Sequence, residues 1–152
     1  MLVYNLLVCG LILCEIGISE AIRFSDCGSV NVVVRSVDVS PCKSDPCTLH
    51  GKEVVTVRIG FKALADIDAG EGRIRGTLGG EYVVIPLPQT DVCGHLSPPC
   101  PVRAQKIYTY KYTGVVPSGI RPGTVIIQWQ LLTKGGAVFL CAEFPVIIGQ
   151  AA

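Results

Sequence analysis

Residues 124–148 read TVIIQWQLLTKGGAVFLCAEFPVII, and the period of their hydrophobicity decides the fold. Val125, Ile127, Trp129 and Leu131 fall on one side of a period-two pattern, with Ile126, Gln128, Gln130 and Leu132 opposite. Lys134-Gly135-Gly136 interrupts the pattern. Ala137 to Ile148 then places Val138, Leu140, Ala142, Phe144, Val146 and Ile148 on one face. Alternation rich in β-branched and aromatic side chains marks strands, and paired glycines accept the positive φ of a tight hairpin turn. The stretch therefore predicts two antiparallel strands joined by a hairpin.

The same grammar extends upstream. Val30–Val39 is rich in valine, and Glu53–Phe61 sets Val55, Val57, Ile59 and Phe61 against Val54, Thr56 and Arg58. Arg73–Leu78 and Glu81–Leu87 flank Gly79-Gly80, a second hairpin signal. Lys106–Tyr112 puts Tyr108, Tyr110 and Tyr112 on one face. Prolines 41, 46, 98, 99, 101, 117 and 122 fall between these segments. About seven strands in ~130 residues, with no amphipathic helix, predict an antiparallel two-sheet β-sandwich.

The chain has 152 residues, 49% hydrophobic and 16% charged, with eight cysteines and a formal net charge of +1. That balance excludes a disordered chain and a highly charged coiled coil. It offers no polybasic surface, so nucleic acid is not expected as a partner. Residues 2–18 are mostly apolar but interrupted by Asn5 and Glu15, short of a membrane span. With Ser19-Glu20-Ala21 following, residues 1–21 read as a secretory signal cut after Ala21, or after Ser19. The rival reading is a signal anchor or a buried N-terminal strand. The mature domain is then residues 22–152. Removing Glu15 and Glu20 with the signal raises the formal net charge to +3.

The signal takes Cys9 and Cys14 with it and leaves Cys27, Cys42, Cys47, Cys93, Cys100 and Cys141. A secreted domain of this size suits a disulfide framework. Of the 15 connectivities six cysteines allow, the simplest closes two short loops, Cys42–Cys47 and Cys93–Cys100, and ties the chain ends through Cys27–Cys141. These spacings, with only His50 and His95, do not make a zinc finger. No metal or other cofactor is expected.

Catalytic patterns fail on inspection. There is no Gly-x-Ser-x-Gly elbow. Gly70–Gly76 matches neither a dinucleotide fingerprint nor a P-loop. Asp66–Gly72 (DIDAGEG) lacks the twelfth-position Glu of a calcium loop and reads as a turn. No nucleophile–base constellation can be assembled, so an enzyme is not expected. What remains is apolar excess. If two such sheets splay, their inner faces line a dry cavity, and each buried lipid methylene contributes ~0.8 kcal/mol.

Several motifs run in order at family spacing: Phe24-Ser25-Asp26-Cys27-Gly28-Ser29-Val30, Val39-Ser40-Pro41-Cys42 with Pro46-Cys47, and Pro86-Leu87-Pro88 with Asp91 and Cys93. Cys100-Pro101, Tyr108-Thr109-Tyr110, Trp129-Gln130-Leu131 and Cys141-Ala142-Glu143-Phe144-Pro145-Val146 complete the set. Over Arg23–Gly149 the chain resembles the MD-2-related lipid-recognition (ML) family, in its Niemann–Pick type C2-like branch. The resemblance implies an Ig-like β-sandwich parted around a lipid-sized pocket, and the three cysteine pairings above. It implies non-catalytic carriage of a sterol, a fatty acid or another small hydrophobic ligand, with transient contact with a membrane or receptor, by a monomer. It places the chain outside the cell or, alternatively, in the lysosomal lumen.

The family's pocket positions fall on Val57, Ile74, Leu78, Val83, Tyr110, Val125, Ile127, Trp129 and Phe144. Its entrance falls on Ile85, Ile120 and Val116. Two entrance aromatics of the family are aliphatic here, Ile85 and Ile120, and the position after the last cysteine, often Trp, is Ala142. The expected result is a roomier pocket that takes flexible lipids as well as sterols. The alternative function is innate-immune recognition of lipopolysaccharide-type lipids as a secreted co-receptor. It would use cations at the mouth, for which Lys111, Arg121 and Arg103 are the candidates.

Overall fold

A computed structural model describes residues 21–42 and 44–150. The segment read as a signal lies outside the described residues, apart from Ala21, which bridges Asp38. The described chain forms strands β1 (Ser25–Asp26), β2 (Val32–Ser40), β3 (Cys47–Leu49), β4 (Val54–Ala63), β5 (Ala69–Leu78) and β6 (Glu81–Val83). A single 3-10 turn, Cys93–His95, precedes β7 (Leu96–Ser97), β8 (Ile107–Val115), β9 (Gly123–Thr133) and β10 (Val138–Ile148). One sheet runs β1-β10-β9-β5-β6, with β3 also beside β10, and the other runs β2-β4-β8-β7.

All seven strands expected from the alternation are present, and the two sheets pack as a sandwich. β9 and β10 form the expected antiparallel hairpin, pairing Trp129 with Ala142 and Ile127 with Phe144. Gly79 and Gly80 turn β5 into β6 at φ 59° and 84°, the left-handed pair a type I′ turn requires. All three disulfides pair as the spacing suggested: Cys27–Cys141, Cys42–Cys47 and Cys93–Cys100.

Five details differ from the sequence reading. β5 begins at Ala69, so half of the Asp66–Gly72 segment expected as a turn is strand. Its glycines permit this, because a Cβ on Gly70 would stand 2.8 Å from the Thr133 carbonyl oxygen. The strand expected over Glu81–Leu87 stops at Val83, since Pro86 and Pro88 cannot donate to a ladder. The pairing is not antiparallel throughout: after the Cys42–Cys47 loop, β3 lies parallel to β10, Cys47 beside Val146. β1, β3 and β7 are additional strands of two or three residues, too short to show a period. Finally, a register shift between Val138 and Leu140 breaks the alternation at the start of β10. Phe139, assigned by parity to the opposite face from Leu140, is buried with its ring 6.4 Å from Phe61.

The sandwich is solid at one end and hollow at the other. At the solid end Phe61 stacks on Tyr108 at 5.7 Å, and Leu131 and Leu140 are fully buried. Moving along the same strands, β4 passes from Phe61 to Val57, β8 from Tyr108 to Tyr112, and β9 from Leu131 to Val125. The latter residue of each pair lines a cavity between the sheets.

Candidate lipid-binding cavity

The cavity holds about 590 Å³, within the range of ~300–1,000 Å³ usual for small-molecule sites. Its walls alternate as the strands do. β9 contributes Val125, Ile127 and Trp129, and β10 contributes Phe144, Val146 and Ile148. β4 offers Val55 and Val57, β8 offers Tyr112, and Ile74 faces them from β5. The irregular segment Ile85–Gln89 closes one side, and Val115–Ser118 with Ile120 closes another. Apart from Val115, which ends β8 opposite Val54, this is chain without ladder partners, and it forms the mouth.

Of the residues expected to bind lipid, Val57, Ile74, Ile85, Val116, Ile120, Val125, Ile127, Trp129 and Phe144 come together on this wall. Four do not. Tyr110 is buried one rung beyond it, paired with Ile59, and Ala142 is buried beside Trp129 on the last rung of the wall without lining it. Leu78 and Val83 line a separate shallow depression outside the mouth, with Glu81 and Arg121. Ile120 borders both spaces and partitions them. Sequence reasoning did not assign Val39, Leu49, Val55, Leu87, Tyr112, Val146 and Ile148 to the wall. Parity carried a signal for several, since Val55, Tyr112, Val146 and Ile148 share faces with assigned residues. Val39 and Leu49 carried none, because only the packing of β2 and β3 brings them there.

The floor of the cavity is aromatic: Trp129 and Tyr112 line it, with Tyr110 buried behind them. Trp129 meets Tyr110 and Tyr112 edge-on at 5.9 and 5.7 Å between ring centres. The Tyr110 hydroxyl and the Trp129 indole N–H are both buried, and neither makes a hydrogen bond among the described residues. Burial pushes the Tyr110 phenol well above its ordinary value, although the neighbouring Trp129 indole pulls the other way. The hydroxyl therefore stays protonated and uncharged. Tyr112, by contrast, accepts the Gln89 N–H at 3.4 Å near the mouth.

Charge is nearly absent from the wall: among the described residues, Lys52 is the one lining it whose side chain is charged. The cations considered for lipopolysaccharide do not gather there. Arg121 pairs with Glu81 at 3.3 Å, Arg103 pairs with Asp66 at 3.6 Å, and neither these two nor Lys111 lines the cavity. No group of three or more His, Cys, Asp or Glu side chains is arranged to hold a metal ion among the described residues. No helix among them is long and apolar enough to cross a membrane.

Comparison with known proteins agrees with this architecture. A family model described as the ML domain matches residues 21–148. NPC intracellular cholesterol transporter 2 of Danio rerio is 32% identical over 130 residues, covering 86% of this chain and 87% of that protein. A mite group 2 allergen of Tyrophagus putrescentiae is 33% identical over 120 residues, covering 79% and 82% respectively. The crystal structure of a Niemann–Pick type C2 protein from the Japanese carpenter ant superimposes with a TM-score of 0.72 at 23% identity. It covers 84% of this chain and 99% of its own.

Proposed function

The chain belongs to the ML-domain family, and on that premise we propose that it is a non-catalytic lipid carrier, binding a sterol or fatty-acid-like ligand between its sheets. The observation that carries this reading is the 590 Å³ cavity, apolar along its strands and open through a mouth of irregular chain. Several ML relatives are named cholesterol transporters. Burying ten methylenes there would contribute ~8 kcal/mol before the cost of association is subtracted. Binding alone needs no catalytic group, and release to a membrane or receptor completes the transfer. The three disulfides belong to an oxidising compartment, the extracellular space or the lysosomal lumen. A signal in residues 1–21 would direct export there, and its removal would leave residues 22–152 as a monomeric carrier.

Native mass spectrometry of the purified secreted protein is expected to recover bound sterol or fatty acid. Ile85→Asp and Val116→Asp each place a carboxylate at the mouth and should abolish uptake. Thermal unfolding of both variants guards against a folding defect. Full uptake by two folded variants would overturn the assignment of the cavity.

A further inference from the structure

The wall of the cavity is asymmetric in charge, and the asymmetry bears on the ligand's head group. Lys52 stands at the mouth, and its backbone is clamped to the entrance loop: its N–H donates to the Val116 carbonyl at 2.8 Å, and the Val116 N–H donates to Glu53 at 2.8 Å. The turn that carries it has Gly51 available, yet the left-handed φ of 70° falls on Lys52 itself. That conformation favours glycine; Asn31 and Gln105 share it, but of the three only Lys52 borders the cavity. Lys52 takes part in none of the ion pairs among the described residues. The nearest acid in sequence, Glu53, accepts the His50 N–H at 3.4 Å. Arg121, across Ile120, is occupied by Glu81.

The interior offers nothing comparable. Its floor is formed by the rings of Trp129 and Tyr112, and the Tyr110 hydroxyl and Trp129 N–H behind it are uncharged and buried. A carboxylate drawn down to that floor would lose its hydration without gaining a counter-charge, which is strongly unfavourable. An anionic head would therefore stay at the mouth, where water and Lys52 are both at hand.

We propose that Lys52 is a specificity-determining residue that favours long-chain carboxylates over neutral lipids, holding the carboxylate at the mouth while the chain lies in the cavity. This rests on the lipid-carrier reading above. The selectivity is modest, because an ion pair in contact with solvent contributes little.

The test pairs two ligands of equal chain length, oleate and methyl oleate, titrated at neutral pH and low salt into wild-type protein, Lys52→Met and Lys52→Arg. Lys52→Met should weaken oleate binding about two- to five-fold, the range an exposed ion pair supports, and leave methyl oleate unchanged. Lys52→Arg should retain the oleate affinity, and added salt should erode the wild-type preference. Unaltered oleate binding by Lys52→Met would overturn the assignment, as would an equal loss for both lipids, which would mean the side chain acts only by packing. In those cases methyl oleate binding by the wild-type protein leaves the carrier reading standing. Failure of the wild-type protein to bind either lipid overturns the Lys52 assignment, and the carrier reading falls with it only if cholesterol also fails to bind in the same assay.

Discussion

Gly76 and Ile85 face each other across the start of the mouth. A Cβ on Gly76 would stand 2.8 Å from Ile85 Cδ1 and 3.3 Å from Val125 Cγ1. The missing side chain is what lets Ile85 lean inward, so the aliphatic replacement at 85 is packed rather than simply smaller. Sequence alone shows both residues but not their meeting. Asp26 is local enough to be followed further. Slight burial raises its carboxyl, but N–H groups of Ser29 at 2.8 Å and Gly28 at 2.9 Å outweigh this and hold it below its ordinary value of 3.8. A depressed carboxylate stabilises the fold fully above the unfolded value, and that contribution is lost as pH falls through the lower folded value. Asp26→Asn should therefore lower the melting temperature at neutral pH. The gap from wild type should close in melts below pH 3.8. Because Asp26 is exposed, the effect should stay below about 1 kcal/mol.

At the scale of elements, β9 and β10 carry both halves of the sandwich. Their inward residues are core at one end and cavity wall at the other, with no change in residue type between Leu131 and Val125. Alternation reports which face is inside, and it reported this correctly for β4, β8 and β9. It is blind to whether the opposite sheet fills the space. That is why Tyr110 and Ala142 were expected in the pocket and are buried at its edge without lining it. It is equally blind to the bulge that buries Phe139, since an inserted residue shifts parity without a sequence mark. β10 is also the element the longest cross-link holds. Cys27–Cys141 joins residues 114 apart and pins β1 against β10, whereas Cys42–Cys47 spans 5. In the chain-entropy model the long closure contributes about 5 kcal/mol and the short one about 2. Denaturant melts of the paired Cys→Ala variants should follow that order. A greater loss from Cys42→Ala/Cys47→Ala would show that the local loop, through β3, matters more than chain closure.

At the scale of the whole molecule, the unfilled space between the sheets forgoes packing that a solid sandwich would have. A bound lipid would restore those contacts, so folding and binding should be linked. At a hundredfold excess over Kd, a ligand that binds only the native state adds ~2.7 kcal/mol. That corresponds to roughly 10 °C in the melting temperature of a domain this size. Calorimetry with and without oleate or cholesterol measures the shift, and Ile85→Asp should show none. Trp129, the one tryptophan, stands in the cavity wall. Its emission should change during the same titration, and a silent Trp129 alongside a large thermal shift would place the ligand elsewhere.

By itself the sequence determined the seven strands with a readable period, the hairpins at Gly79-Gly80 and Gly135-Gly136, the inward faces and a cysteine frame that nests. Each is a local matter, set by side-chain period, turn conformation or spacing along the chain. Tertiary structure alone decided where the core stops and the cavity begins, that β3 runs parallel to β10, and that Lys52 is the single charge on the wall among the described residues. These depend on how far two sheets stand apart and on which irregular segments close the gap. Such distances arise from packing between residues remote in sequence, and no local period encodes them.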